Sequence, residues 1–227
     1  MNGGLALLQL LRLASPSLPI GAYSYSQGLE SALDLGLVTD ATSARQWLHD
    51  VLHGPLSHFE AVLLVQACRA LVGADEARLD AINQRLLASR DSRELRQETE
   101  QMGYSLRQLL AALPESQNQP WPSTLADAPV AVPVAWAVAA RTLGLAEDAA
   151  VTGYLWGWLE NQVMVLLKAM PMGQTAGQRL LSALLPELAV AVQTARTLPE
   201  DELSNFAPGL AWVAMKHETQ YSRLFRS

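Results

Sequence analysis

The chain has 227 residues, half of them apolar and 17% charged, a composition that excludes a disordered protein and leaves room for a sizeable core. A formal charge of −6 lacks the basic field that phosphate backbones require, which excludes nucleic acid as a partner class. The single cysteine, Cys68, excludes an intrachain disulfide and fits a reducing cytoplasm.

The first segment repeats Leu5, Leu8 and Leu11/Leu13 at helical spacing. It has no basic region ahead of its leucines and Arg12 interrupts them, so it reads as a helix and not as a signal peptide. Residues 15–30, SPSLPIGAYSYSQGLE, follow. Pro16 and Pro19 end the helix, and Gly21 permits a turn that other residues resist. Tyr23, Ser24, Tyr25, Ser26 and Gln27 then lead into a helix carrying Leu29, Glu30 and Leu33. The string is either a rigid connection or a presented surface for a protein partner, because tyrosine joins apolar area to a polar tip.

Trp47, Leu48, Val51 and Leu52 mark the next helix, on which His49 and His53 stand four apart on one face, a spacing that can chelate a transition metal. His58, past the break at Gly54–Pro55, is a conceivable third ligand, and Cys68 could approach in space. The other reading is of ordinary surface or interfacial rings. Ser57 with Glu60 has the form of a capping box before the apolar run 61–71, which Gly73 stops. Asp75 is placed to cap a helix bearing Leu79, Ile82, Leu86 and Leu87. Ser92 is placed to cap one that buries Leu95, Met102, Leu106, Leu109 and Leu110. Glu94, Glu98 and Glu100, beside Arg93 and Arg96, read as a solvated helix face or an arginine-docking site for a partner.

Residues 114–128, rich in Pro, Ser, Asn and Gln, read as a surface crossing. The apolar stretches 126–143 and 151–170 are interrupted by Pro129, Pro133 and Arg141 and by Glu160, Asn161, Gln162 and Lys168, so they read as buried helices and not as membrane spans. In the second, Trp156 and Trp158 lie about 200° apart on a helical wheel. Gly153 and Gly157 would let another backbone close in. That helix is a bundle centre or a dimer seam. Pro171 and Gly173 break it, and Gln174, Thr175, Gln178 and Arg179 decorate the start of the next, as an interface or as local bracing. The last stretch offers Trp212, Met215, Tyr221, Leu224 and Phe225 among His217, Arg223 and Arg226, anchors of the hot-spot type. It either packs back on its own bundle or is held out to fold against a partner, and the second is the expectation.

No segment shows period-two alternation with β-branched enrichment. The fold class is all-α: a single-domain bundle of about nine or ten helices, with a body at 1–197 and an extended partner-binding tail at 198–227. The phosphate-binding loop, the dinucleotide fingerprint, the zincin pattern and the nucleophile elbow are all missing from the sequence. The chain is therefore read as no enzyme.

Five blocks in order resemble the urease accessory protein F family (UreF): residues 15–30, SRELRQETEQMG at 92–103, VPVAWAVAARTLGL at 132–145, PMGQTAGQRLL at 171–181 and HETQYSRLFRS at 217–227. The resemblance covers nearly the whole chain. It implies an all-helical, commonly dimeric, cytoplasmic chaperone for nickel insertion into apo-urease. Such a chaperone stands between accessory protein D (also called H) and the nickel-carrying GTPase, accessory protein G. It couples GTP hydrolysis to metallocentre assembly without a cofactor of its own, GTP being bound by the partner. On that reading the tail residues Tyr221, Arg223, Leu224, Phe225 and Arg226 serve accessory protein D, with His217 a further partner-binding candidate. Tyr23, Ser24, Tyr25, Ser26, Gln27 and Glu30, with Gln174, Thr175, Gln178 and Arg179, serve dimerisation and the GTPase. Ala131 and Ala137 depart from the family's frequent His and Gly, so no metal or close-packing role carries over to that block. Two alternatives stand: a GTPase-activating protein with Arg179 or Arg223 as an arginine finger, and a nickel-binding protein using His49 and His53. The abundant apolar helix surface implies poor solubility alone.

Overall fold

Helix ends fall where backbone donors need partners. The computed structural model describes residues 3–227, and among them every α-helical or strand element is a helix: α1 Gly3–Leu13, α2 Leu29–Asp34, α3 Ala41–Val51, α4 Ala61–Val72, α5 Glu76–Ala88, α6 Arg93–Ala111, α7 Val132–Thr142, α8 Glu147–Ala169, α9 Gln174–Thr197 and α10 Pro208–His217. The all-α class stands. The Asp75 carboxylate accepts from Arg78 N at 2.9 Å and the Ser92 hydroxyl from Leu95 N at 3.1 Å, so both caps form. A reciprocal capping box also forms between Asp40 and Ser43.

The box expected at Ser57 and Glu60 does not form. The chain runs on from α3 into α4 through a π-helical segment, Leu52–Glu60, kinked at Gly54 (φ −100°, ψ −115°). A cap serves the free N–H groups of a helix start, and a chain that arrives already helical has none to satisfy. Ser57 meets the His58 ring instead, and Glu60 turns inward to Arg90 and Tyr154.

At the centre lies α7, buried continuously from Val132 to Ala140 and flanked by α4, α6 and α8. Its own N-cap, Ala131, has no side chain that could accept. Neighbouring helices supply what is missing: Asn83 on α5 accepts from Ala131 N and donates to Pro129 O, and Thr99 on α6 accepts from Val132 N. These bonds fix the approach of α6 to residues 130–132. Gly103 makes that approach possible, since a Cβ there would stand 1.9 Å from the Val130 carbonyl oxygen.

Two sides of α8 differ. A Cβ on Gly153 would meet Leu10 of α1 at 2.6 Å, whereas one on Gly157 would meet nothing within 4 Å. Trp156 and Trp158 are both half-buried against the core. The helix is therefore a core element on one side and open on the other. On α1, Leu5, Leu7, Leu8 and Leu11 are exposed. Among the described residues no helix is long and apolar enough to cross a membrane. Residues 114–128 cross the surface in two short 3₁₀ turns, pinned by buried Leu125.

Gly103→Ala forces a side chain against backbone and is expected to destabilise the chain by about 1–3 kcal/mol. Gly157→Ala, with open space before it, should change stability by less than about 1 kcal/mol. Urea denaturation followed by circular dichroism measures both, and equal midpoints for the two variants would contradict the packing argument.

Candidate partner-binding site

The tail is not held out. It folds back onto residues 24–30, and the physical reason is a set of buried acceptors waiting for it. Glu30, on α2, sends Oε1 to Leu224 N at 2.6 Å and Oε2 to Phe225 N at 3.0 Å. The same Oε2 lies 3.1 Å from Nε2 of His217, whose Nδ1 lies 2.6 Å from Oε2 of Glu94 on α6. His217 is fully buried, and each of its two ring nitrogens lies within hydrogen-bond distance of a carboxylate, the two coming from different helices. Arg223 donates to the other Glu94 oxygen at 2.6 Å.

Main-chain bonds complete the clasp. Arg226 N donates to Ser24 O at 2.8 Å, Ser26 N donates to Ser227 O at 2.9 Å, and the Ser26 hydroxyl donates to that same oxygen. Phe225 is buried with the Lys168 ammonium 4.5 Å from its ring centroid. Gly28, at φ +82°, lies against α10, where a Cβ would stand 3.0 Å from Val213 Cγ2. The SYSQGLE string is thus the receptor for the chain's own end, which joins the two distant blocks 15–30 and 217–227 into one structure.

Several residues expected on a presented surface are therefore interior: Tyr25, Ser26, Glu30, His217 and Phe225 are buried. Glu98, expected on a solvated face, is also buried, 4% exposed. It accepts from Gln27 Nε2 and from Ser227 Oγ, each at 2.6 Å. Burial lifts its carboxyl to about 7, against these two hydrogen bonds and the nearby Arg90 guanidinium, which favour the charged form, while Glu60 adds repulsion. The signal in the sequence was position: Glu98 lies one turn before Met102 on the apolar stripe of α6. Glu94 of this acidic run pairs with Arg223 of the chain itself.

What remains outside is a distinct set. Tyr23 is exposed, as are Tyr221, Leu224 and Arg226 of the tail and Trp212 and Met215 on α10. Gln174, Thr175, Gln178 and Arg179 stand exposed on the first turns of α9. A cleft of about 790 Å³ opens beside the clasp, lined by Tyr25, Glu94, Tyr104, Arg107, Arg223 and Arg226.

The histidines separate. His49 and His53 converge with Glu187 of α9, their three ligand atoms lying within 4.8 Å of one another. His58 instead meets Ser57. Cys68 faces Glu147 and Arg69, and its thiol is pushed by burial up to about 12, so it is no thiolate.

Comparison with known proteins agrees over the full length. The family model described as UreF matches residues 38–185. The chain is 51% identical over 229 residues to the urease accessory protein UreF of Azoarcus sp. (strain BH72), covering all of this chain and 97% of the relative. It is 52% identical to the protein of the same name from Azotobacter vinelandii, covering both completely. For that of Pseudomonas aeruginosa (strain LESB58) the figure is 54% over 218 residues, 96% of this chain and 97% of the relative. The chain belongs to the UreF family.

Two outcomes follow from the clasp. His217→Ala leaves Glu30 and Glu94 without their shared donor and is expected to cost about 3–5 kcal/mol and to expose residues 218–227 to limited proteolysis; an unchanged cleavage pattern would refute the clamp. Glu98 has a folded pKa above its unfolded value, so the native state binds more protons between about pH 4.5 and 7. Its contribution to stability therefore falls as pH rises through that window and is flat above it. Glu98→Gln should remove this slope and be more stable than the parent at pH 8, by up to about 3 kcal/mol, with the difference vanishing towards pH 5. Denaturant midpoints at the two pH values read it.

Proposed function

We propose that this chain is a cytoplasmic, non-enzymatic chaperone and adaptor for nickel insertion into apo-urease. It bridges accessory protein D and the nickel-carrying GTPase, accessory protein G, and couples GTP hydrolysis to metallocentre assembly. Full-length similarity to urease accessory proteins supports the setting. One structural observation supports the mode of action: the tail is locked by its buried residues in a way that leaves Tyr221 and Leu224 exposed, as are Trp212 and Met215 on α10. Aromatic and apolar anchors on a prefolded segment bind without an ordering cost. Residues 198–227 act in this reading as the platform for accessory protein D, with Glu30, His217 and Phe225 shaping it from beneath.

The second platform is the start of α9. Gln174, Thr175, Gln178 and Arg179 offer amides, a hydroxyl and a guanidinium on one exposed end, suited to polar recognition of the GTPase. Homodimerisation falls to the third surface. The exposed leucines of α1 adjoin a groove lined by Leu13, Tyr23, Gly157, Trp158 and Met164. An apolar patch of this kind favours association. The arginine-finger alternative rests on Arg179, because Arg223 is committed to Glu94.

Tyr221→Ala/Leu224→Ala should weaken co-purification with accessory protein D at least about tenfold while leaving the denaturation midpoint unchanged. Gln174→Ala/Arg179→Ala should spare D and weaken G. Undiminished binding of both partners by both variants would reject the adaptor assignment. If accessory protein G hydrolyses GTP faster with this chain and Arg179→Ala abolishes the gain, the finger reading replaces simple coupling.

A further inference from the structure

We propose that His49, His53 and Glu187 form a solvent-accessible binding site for a divalent first-row transition-metal ion, built across α3, the π-helical segment and α9. His49 and His53 are four apart along a continuous helical path, and their rings lie 4.6 Å apart, tilted by 48°. Glu187 Oε2 sits between them, 2.7 Å from Nδ1 of His49 and 3.8 Å from Nε2 of His53. Metal–ligand bonds of about 2.0–2.2 Å place donor atoms roughly 3–3.5 Å apart. The two separations from Glu187 lie on either side of that spacing and all three donor atoms lie within 4.8 Å of one another, so side-chain rotation would close the set around an ion.

The surroundings favour ligation over a plain ion pair. Arg45 holds the other carboxylate oxygen, Oε1, at 2.9 Å, which orients Glu187 and leaves Oε2 for the imidazoles. Immediately beyond His53 the backbone leaves helical geometry at Gly54, a local irregularity of the kind that accompanies functional sites. Side-chain exposures of 45% for His49 and 24% for His53 leave open coordination positions for water or a further donor.

Two imidazoles and one carboxylate, with no thiolate, suit Ni²⁺, Zn²⁺ or Co²⁺ better than Mg²⁺ or Ca²⁺, which take all-oxygen sets. An accessible three-donor site holds an ion exchangeably, as a relay or sensor does, and does not bury it as a structural zinc does. The inference stands on these residues alone and not on the adaptor reading, because the isolated chain is what is measured.

The test is equilibrium dialysis of the untagged chain against Ni²⁺ and Zn²⁺ at pH 7.5, with Co²⁺ added in parallel to read the ligand field by visible absorption. One ion per chain is expected, with Glu187→Gln weakening binding about 10–100-fold and His49→Ala/His53→Ala abolishing it together with the Co²⁺ bands. Circular dichroism and the urea midpoint verify that each variant is folded. No stoichiometric binding by the parent, or binding that the double variant retains, overturns the proposal. Failure of partner co-purification alone leaves these readouts unmoved, which separates the two hypotheses.

Discussion

Everything at the candidate interface depends on a fully buried imidazole held between two carboxylates. Glu30 and Glu94 come from helices far apart in sequence, and His217 ties them together while Glu30 also receives two main-chain donors of the tail. Removing such charges from water costs several kcal/mol per ion, and only dense mutual hydrogen bonding offsets it. The arrangement is therefore close to all-or-none: either the tail is seated with every donor placed, or Glu30 is stranded. A seated tail gives the exposed Tyr221 and Leu224 a defined position, which an unanchored segment could not.

A second polar layer lies behind the first. Glu98 receives Gln27 and Ser227, and Glu60 receives Arg90 at 2.6 Å and Tyr154 at 2.5 Å. Such groups would destabilise an apolar core if unpaired, so their placement imposes one relative arrangement on α6, α8 and the π-helical segment. The same layer makes the tail sensitive to proton uptake through Glu98, since Ser227 bonds directly to that carboxylate. Interior electrostatics and the exposed face of the tail are thus physically connected through a few residues at the end of the chain.

Much of the bundle was legible along the sequence. Caps at Asp75 and Ser92, the stop at Gly73 and the break after α1 all follow from backbone donors and proline, which act over three or four residues. The Ser57/Glu60 reading failed because the same local chemistry also occurs inside a continuous helical path, where no free donors exist. Glu98 misled for a related reason: acidic residues on a helix are usually solvated, and this one is satisfied inside by partners 71 and 129 residues away. Glu187 escaped notice beside the histidines because nothing between residues 53 and 187 encodes that α9 returns to α3.

By itself the sequence determined the helices, the all-α class and the presence of aromatic and arginine anchors near the end, because propensity, capping and amphipathic period are short-range properties. The histidine pair on one face was equally local. Only the tertiary structure decided that the tail seats on residues 24–30, that Tyr25 and Phe225 point inward while Tyr221 and Leu224 point out, and that a carboxylate completes the histidine pair. Those outcomes depend on which helices meet, and the meeting is set by burial summed over the whole chain, which no window of residues contains.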